Sequence, residues 1–460
     1  MLAAAVHAQG IPNDPLYRSS GSWGQSYPDQ WGLQRIGFPP TEPTAWTLES
    51  PQAQPVTVAV IDSGLDYTHP DFPRDALWRN PQEKLNGIDD DRNGYIDDVI
   101  GWNFVEDTNN PWDRSGHGTL IAGIIAAASD NGVGIAGINR HARIMPLAVL
   151  NLAGRGRSSD IAAAIDYAAA HGARVINLSF GGEAASPVEV QAVQRALQAG
   201  AVVVLAAGNL GRDTAGFGLA NIPGVLVVAA TDTEDQRARF SNFGRAVSIS
   251  APGVDILGLR ARGTDLVRTS GAAAYRERAA LVGSDGGYYR ASGTSFAAAF
   301  VSGVASWILA QRPELTGAQV TRMMVQSARD IGPPGVDPLT GYGLIDARAA
   351  LAADPEFWTT AQIDHVELTL RDGRPVVRVT GTADANQFAA AHLRLAPVAY
   401  PNDWIEPAAA LTQPVRAAAL AEIDVQSLRG SRRWIAQLVV THQNGRTRET
   451  RHLIDLGPAP

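Results

Sequence analysis

The sequence has no cysteine and a single lysine, Lys84. Without cysteine there is no disulfide, no thiolate nucleophile and no cysteine-ligated zinc. A basic excess is lacking too. The 46 acidic residues against 38 basic ones leave a formal charge of −8, which argues against nucleic acid as a partner. From Glu356 onward eleven acids meet eleven bases, so the whole deficit lies earlier in the chain. No run reads as a membrane span. The longest uncharged stretch, Ala291 to Gln311, carries Ser292, Thr294, Ser295, Ser302, Gly303 and Ser306 and suits a buried core helix. With 45% apolar and 18% charged residues over 460 positions, the chain should fold into two or three globular domains. Its first nine residues, Met1-Leu2-Ala3-Ala4-Ala5-Val6-His7-Ala8-Gln9, read as the tail of a signal peptide without the charged leader. The expected protein is therefore secreted or extracytoplasmic and monomeric. Lacking disulfides, it would need another staple, and a bound metal is the usual one.

Between residues 56 and 350, short apolar runs alternate with segments of helical period. Strands are predicted at Val56–Ile61, Ala142–Leu150, Ala173–Phe180, Ala201–Ala207 and Val225–Ala230. These runs are apolar on both faces, as parallel strands covered by helices must be. Ser186-Pro187-Val188-Glu189 and Thr316-Gly317-Ala318-Gln319 are capping boxes, and Ser158 or Ser159 opens a further helix. The pattern predicts a doubly wound, mostly parallel α/β domain with its site at the carboxyl ends of the strands. Beyond Asp354-Pro355 the period changes to two, in Val366–Leu370, Val376–Thr380 and Trp434–Thr441, with turns at Asp372-Gly373 and Asn444-Gly445. The domain reading is a signal-peptide remnant at 1–9, a catalytic domain at 10–354 and an all-β sandwich at 356–460.

Three segments carry chemistry. Asp62 ends the first buried run, His117 stands between Gly116 and Gly118 at the start of an apolar helix, and Ser295 opens the long uncharged helix. A serine hydroxyl is a weak nucleophile that needs a base, and the base needs a carboxylate to fix its tautomer. Singly, each residue reads better as a cap, a turn or a core group than as a catalytic one. Together, in the order Asp, His, Ser, they match one of three known triad orders.

On these blocks, Val58–Phe72, Gly116–Ala126 and Gly293–Val304, the chain resembles the subtilisin-like serine proteases over about residues 10–354. The resemblance implies a seven-stranded parallel sheet, peptide-bond hydrolysis through an acyl-enzyme, protein or peptide substrates, and frequent calcium sites. Carried over, Asp62 orients, His117 is the base and then the acid, and Ser295 is the nucleophile. Ala206-Ala207-Gly208-Asn209 resembles the oxyanion block, with the Asn209 amide as donor. Ser179, Phe180 and Gly181, with Ala207 and Gly208, resemble the strand edges that bind an extended substrate. Gly216-Phe217-Gly218 falls near the expected wall of the primary specificity pocket. The chain departs from the family at Phe296, where Met is usual, and at Leu120, which replaces a common His. Asp255–Arg290 is longer than usual and is expected to overhang the site. Gly381-Thr382-Ala383 and Pro401–Ile405 resemble β modules appended to bacterial subtilases.

Two calcium sites are expected. The run from Asp89 to Asp98 has the D-x-D-x-N-G opening of a calcium loop, with oxygen ligands at Asp89, Asp91, Asn93, the Tyr95 carbonyl and Asp98, but no glutamate at position 12. The family likeness adds Asp14, Asp71 and the loop Ser129–Ile135 around Asn131. Two other readings stand beside a general endopeptidase: a processing protease of narrow specificity, and a binding protein that retains a protease fold.

Overall fold

In the computed structural model, residues 11–182, 184–266, 279–428 and 430–456 are described. The signal-peptide reading at residues 1–9 and part of the Asp255–Arg290 extension, 267–278, lie outside them. The described residues divide into two compact units: those up to Arg329 with Leu339–Ala352, and Asp330–Pro338 with those from Ala353 on.

The first unit is built on a seven-stranded parallel sheet. Its strands are β1 (Val56–Asp62), β2 (Trp102–Asn103), β3 (Ala142–Ala148), β4 (Val175–Leu178), β5 (Val202–Ala206), β6 (Leu226–Thr231) and β7 (Val247–Pro252), in the order β2-β3-β1-β4-β5-β6-β7. All five strands predicted from apolar runs are present. From β1 the chain goes to the edge at β2, fills the gap between them with β3, and then crosses to the other side at β4, so the order reverses between β1 and β4. Ligands of doubly wound sheets bind at such a reversal, beyond the carboxyl ends of the strands.

Successive side chains of a strand point to opposite faces. Ala59 and Ile61 of β1, Leu147 of β3, Ile176 of β4 and Val203 of β5 share one core cluster with Ile161 and Ile165 of α2 (Ser158–Ala170) and Val193 of α3 (Pro187–Gln198). Val58, Val60 and Asp62 therefore face the other layer, which holds α1 (His117–Ala126), α4 (Thr294–Gln311) and α5 (Gly317–Ser327). Helix α4 is long and apolar enough to cross a membrane, yet it is the central core helix and buried almost throughout. Its serines explain how polar groups survive there. Ser302 Oγ donates to Asn177 Oδ1 at 2.9 Å, Asn177 in turn donates to Ser179 Oγ at 2.6 Å, and Ser306 accepts from Asn139 at 3.0 Å. Buried polar groups so paired avoid the desolvation cost of lone ones. Both capping boxes form. The Ser186 N–H donates to Glu189 at 2.8 Å, while Thr316 and Gln319 exchange bonds of 2.9 and 3.2 Å.

Residues 256–291 add a small antiparallel sheet, β8 (Ile256–Leu259), β9 (Leu281–Val282) and β10 (Tyr288–Ala291), in the order β8-β10-β9. The second unit has two three-stranded antiparallel sheets. One is β11 (Thr359–Arg371), β12 (Arg374–Ala385) and β14 (Val415–Asp424); the other is β13 (Phe388–Pro397), β15 (Arg433–His442) and β16 (Thr447–Asp455). Val377, Val379, Leu393, Leu395, Trp434 and Leu438 from both sheets meet in one core. Asp372 and Gly373 both have positive φ, +49° and +76°, as a two-residue hairpin requires. The segment Asp330–Pro338 joins this unit because Val336 bridges Thr450 and its N–H donates to Glu449 at 2.8 Å. No local signal marks that excursion, so a boundary read from period alone places it with the α/β domain.

Candidate active site

Asp62 leaves β1 on the α1/α4 face and is fully buried. Its Oδ1 accepts the Ser63 N–H at 2.8 Å and lies 2.8 Å from Nδ1 of His117. A carboxylate only accepts, so Nδ1 carries the proton and Nε2 is left as the acceptor. His117 opens α1. The residue after it, Gly118, comes so close to the end of β1 that a Cβ would stand 2.2 Å from the Gly64 carbonyl oxygen; only glycine lets the strand end and the helix start approach this far. Burial opposes a charged imidazole at His117. The charge and hydrogen bond of Asp62, with the charge of Asp113, outweigh burial and raise its pKa above the ordinary 6.5.

Asp113 was not read from the sequence, yet it fixes this loop. It is fully buried and accepts from Ser63 Oγ, the N–H groups of Ser115 and Gly116, and both N–H and Oγ1 of Thr119, at 2.7 to 2.9 Å. A cleft of 430 Å³ opens beside Ser63 and Ser115, walled by Val105, Trp112, Leu150 and Leu152.

Ser295 is the second residue of α4. Its hydroxyl donates to the Ser179 carbonyl at 2.7 Å, and Ser179 Oγ donates back to the Ser295 carbonyl at 3.2 Å. The hydroxyl therefore rests on the end of β4 and not on His117. The ring of Phe296, the next residue, lies 5.6 Å from the His117 ring, which brings the first turn of α4 against the imidazole. Asn209, just past β5, accepts on Oδ1 from both the N–H (2.8 Å) and the Oγ1 (2.9 Å) of Thr294. A backbone N–H can only donate, so this bond settles which end of the amide is oxygen and leaves the Asn209 NH₂ toward the start of α4. Thr294 Oγ1 also accepts the Gly208 N–H at 3.1 Å. Thr294 is thus the hub of this side. The sequence offered it inside the Gly293-Thr294-Ser295 block, but nothing there ties it to Asn209. Ala207 is pinned by its N–H to Val228 (2.9 Å) and by Asn242 Nδ2 to its carbonyl (2.9 Å), while Ser179, Phe180 and Gly181 continue β4 past the sheet.

The metal candidates divide. Asn131 joins Asp14 and Asp71: its Nδ2 donates to Asp71 at 2.8 Å and its N–H to Asp14 at 3.2 Å. Burial pushes both carboxyls up, Asp71 to about 7, helped by the charge of Asp14 beside it. Tyr288 of β10 reaches Asp71 at 3.2 Å, so β10 packs on this loop. In the second loop, oxygens of Glu83, Asp89 and Asp91 lie within 4.8 Å of one another. Glu83 Oε1 accepts from the N–H groups of Asp90 and Asp91, while Oε2 is buried without a hydrogen-bond partner. Asp98 instead accepts from Tyr167, Asn80 and Asn93 at 2.5 to 3.0 Å. Asn93 bridges Asp91 and Asp98, and the Tyr95 ring packs on Trp102 and Tyr167. Glu83 escaped the sequence reading because it lies six residues before the motif and returns only through the loop's fold. A buried oxygen with no donor, among acids on a loop of hard oxygen ligands, is a fit for a divalent cation.

Residues 53–343 match the Subtilase family. The chain belongs to that family. Among its relatives, this subtilase is 35% identical to thermitase of Thermoactinomyces vulgaris over 53% of its own length and 73% of the relative's. It is 32% identical to a cell wall-associated protease of Bacillus subtilis over 71% of its own length, and 42% identical to a thermophilic serine proteinase of Bacillus sp. strain AK1 over 44%. The matches span only 35% and 44% of the length of the latter two. Among solved structures, a protease of Pseudoalteromonas arctica superposes with a TM-score of 0.54 at 29% identity, covering 75% of this chain and 99% of that one. A lanthipeptide protease does so with a TM-score of 0.55 at 25% identity, covering 75% and 98%.

Proposed function

We propose that this subtilase is a secreted serine endopeptidase, stabilised by calcium, that cleaves protein or peptide substrates through an acyl-enzyme on Ser295. The observation that carries the reading is the buried Asp62–His117 pair at 2.8 Å, with the first turn of α4 and the Asn209 amide beside it. Rotation about χ1 takes the Ser295 hydroxyl from the Ser179 carbonyl to the bare Nε2 of His117. Oγ then bonds the scissile carbonyl carbon as its proton passes to Nε2. The oxyanion is met by the Asn209 NH₂ and by the Ser295 N–H, one of the orphan donors of a helix start. Breaking the C–N bond takes the proton from His117 to the leaving amine, and water repeats the cycle to free the acid.

All of these residues precede Asp354, so we assign catalysis to residues 10–354 and not to the β module. Likeness to a cell wall-associated protease supports an extracytoplasmic location. A fluorophosphonate probe should label the purified protein at Ser295 and leave Ser295→Ala unlabelled and inactive on peptides. Peptide turnover by the Ser295→Ala protein would sink the mechanism. Calcium, when bound, would neutralise the carboxylates of Asp14 and Asp71 and of Glu83, Asp89 and Asp91. A ligand of the folded state stabilises by mass action, about 2.7 kcal/mol at 100 times Kd. Chelation should therefore lower Tm by several degrees, and Glu83→Gln should shrink that shift. Identical melting in millimolar calcium and in chelator would remove calcium from the proposal.

A further inference from the structure

This inference rests on the peptidase reading and names its substrate class. Ser179 and Asn209 stand beyond the carboxyl ends of the neighbouring strands β4 and β5 and flank Ser295, the first through its carbonyl and the second through Thr294. A peptide that presents its carbonyl carbon to Ser295 Oγ and its oxygen to Asn209 places the side chain of that same residue in the crevice between the two strand extensions. Both walls of the crevice carry a glycine, Gly181 on one side and Gly208 on the other. That crevice is not open. A Cβ on Gly181 would stand 2.7 Å from Phe217 Cε1, and a Cβ on Gly208 would stand 2.5 Å from Phe217 Cζ. Both walls thus close on the tip of one ring, and Phe217 is 5% exposed.

The backbone that bears the ring is also held. The Phe217 N–H donates to Thr214 at 2.8 Å, its carbonyl accepts from Asn221 Nδ2 at 2.9 Å, and the next residue, Gly218, donates to Gly182 at 3.3 Å. This last bond ties the loop that bears the ring to the strand extension it plugs. The sequence alone could place Gly216-Phe217-Gly218 near a pocket wall but could not say which way the ring turned. We propose that Phe217 fills the floor of the primary specificity pocket and restricts the residue donating the scissile carbonyl to small side chains, glycine or alanine above leucine or phenylalanine.

Steric exclusion of this kind is strong, because one methylene too many in a filled site already changes kcat/KM by roughly 10- to 200-fold. The test is a set of peptides identical except at that residue, bearing Ala, Val, Leu or Phe. Wild type should favour Ala over Phe by about 100-fold or more in kcat/KM. Phe217→Gly should raise the Phe-to-Ala ratio of kcat/KM at least about tenfold, and Phe217→Leu should fall between. Wild type cleaving the Leu or Phe peptide as fast as the Ala peptide would overturn the proposal, even if neither variant folds. So would a folded Phe217→Gly enzyme with the wild-type ratio. Fluorophosphonate labelling separates the two levels. A labelled enzyme that prefers Phe refutes the role of Phe217 alone, whereas an unlabelled, inactive protein refutes the peptidase reading together with it.

Discussion

Asp62 and His117 are joined by one direct bond at the end of β1 and the start of α1, whereas Ser295 and Asn209 are held through third residues, Ser179 and Thr294. The first half is set by charge. Asp62 Oδ2 is buried with no donor, so the carboxylate depends on the imidazole and the Ser63 N–H at its other oxygen. The second half is set by geometry between neutral groups, and the proposed nucleophile rests on the Ser179 carbonyl. The difference teaches where each kind of damage should appear. Loss of charge in the first half should strike proton transfer and its pH dependence. Loss of a neutral contact in the second should strike oxyanion binding and leave the pH dependence alone.

The largest contrast should come from Asp62→Asn. An amide at this position can present N–H to Nδ1 and so favour the wrong tautomer; such a change in a serine protease costs about 10⁴ in kcat. The pH profile sharpens the point. His117 must be neutral to act as a base, and its pKa is raised above 6.5, so kcat/KM of the wild type should fall as pH drops through a midpoint above 6.5. Removing the Asp62 charge leaves burial opposing the imidazolium with only Asp113 against it, and the midpoint should move to lower pH. An unchanged midpoint would show that Asp62 does not set the ionisation of His117.

A smaller effect is expected in the other half. Asn209→Ala should lower kcat by about 10²–10³ with little change in KM and no change in the acidic midpoint, a range that comes from subtilisin, a relative of this chain. Thr294→Val keeps the N–H bond to Asn209 but removes the hydroxyl and both of its bonds, the one given to Asn209 and the one taken from Gly208, and should cost about tenfold or more. Thr294→Ser should restore most of it. A Thr294→Val loss that Ser does not rescue would mean that packing, not the bond to Asn209, is what the methyl-bearing side chain provides.

How much of this was legible beforehand follows the same division. Strands apolar on both faces declare themselves locally, and so do caps such as Thr316 with Gln319, because each partner lies within a few residues of the other. Asp62, His117 and Ser295 can be proposed from the sequence because each sits in a compact block at an element end. What the sequence hid was joined by the fold across long separations. Glu83 meets Asp89 and Asp91 only when the loop closes, Thr294 meets Asn209 across 85 positions, and the ring of Phe217 turns toward Gly181 and Gly208 from a separate loop. The resting orientation of the Ser295 hydroxyl is a single torsion angle, and residue types carry no record of it.

The smallest effect, close to none, is expected where the two halves meet. Phe296 follows Ser295 and lies against His117, 3% exposed. A Met at this position could be oxidised, and its sulfoxide would put a polar, larger group beside both halves at once. Here the described methionines, Met145, Met323 and Met324, are fully buried in a strand of the sheet and in α5, and the chain has no cysteine. Among the described residues peroxide then meets no accessible sulfur at the site. Wild-type activity should survive timed exposure to peroxide, and Phe296→Met should lose activity over the same interval. Because the buried ring and the thioether have similar volumes, the variant should fold and be active before treatment. If both proteins decay at the same rate, the sensitive group lies elsewhere and Phe296 is not what shields the seam between base and nucleophile.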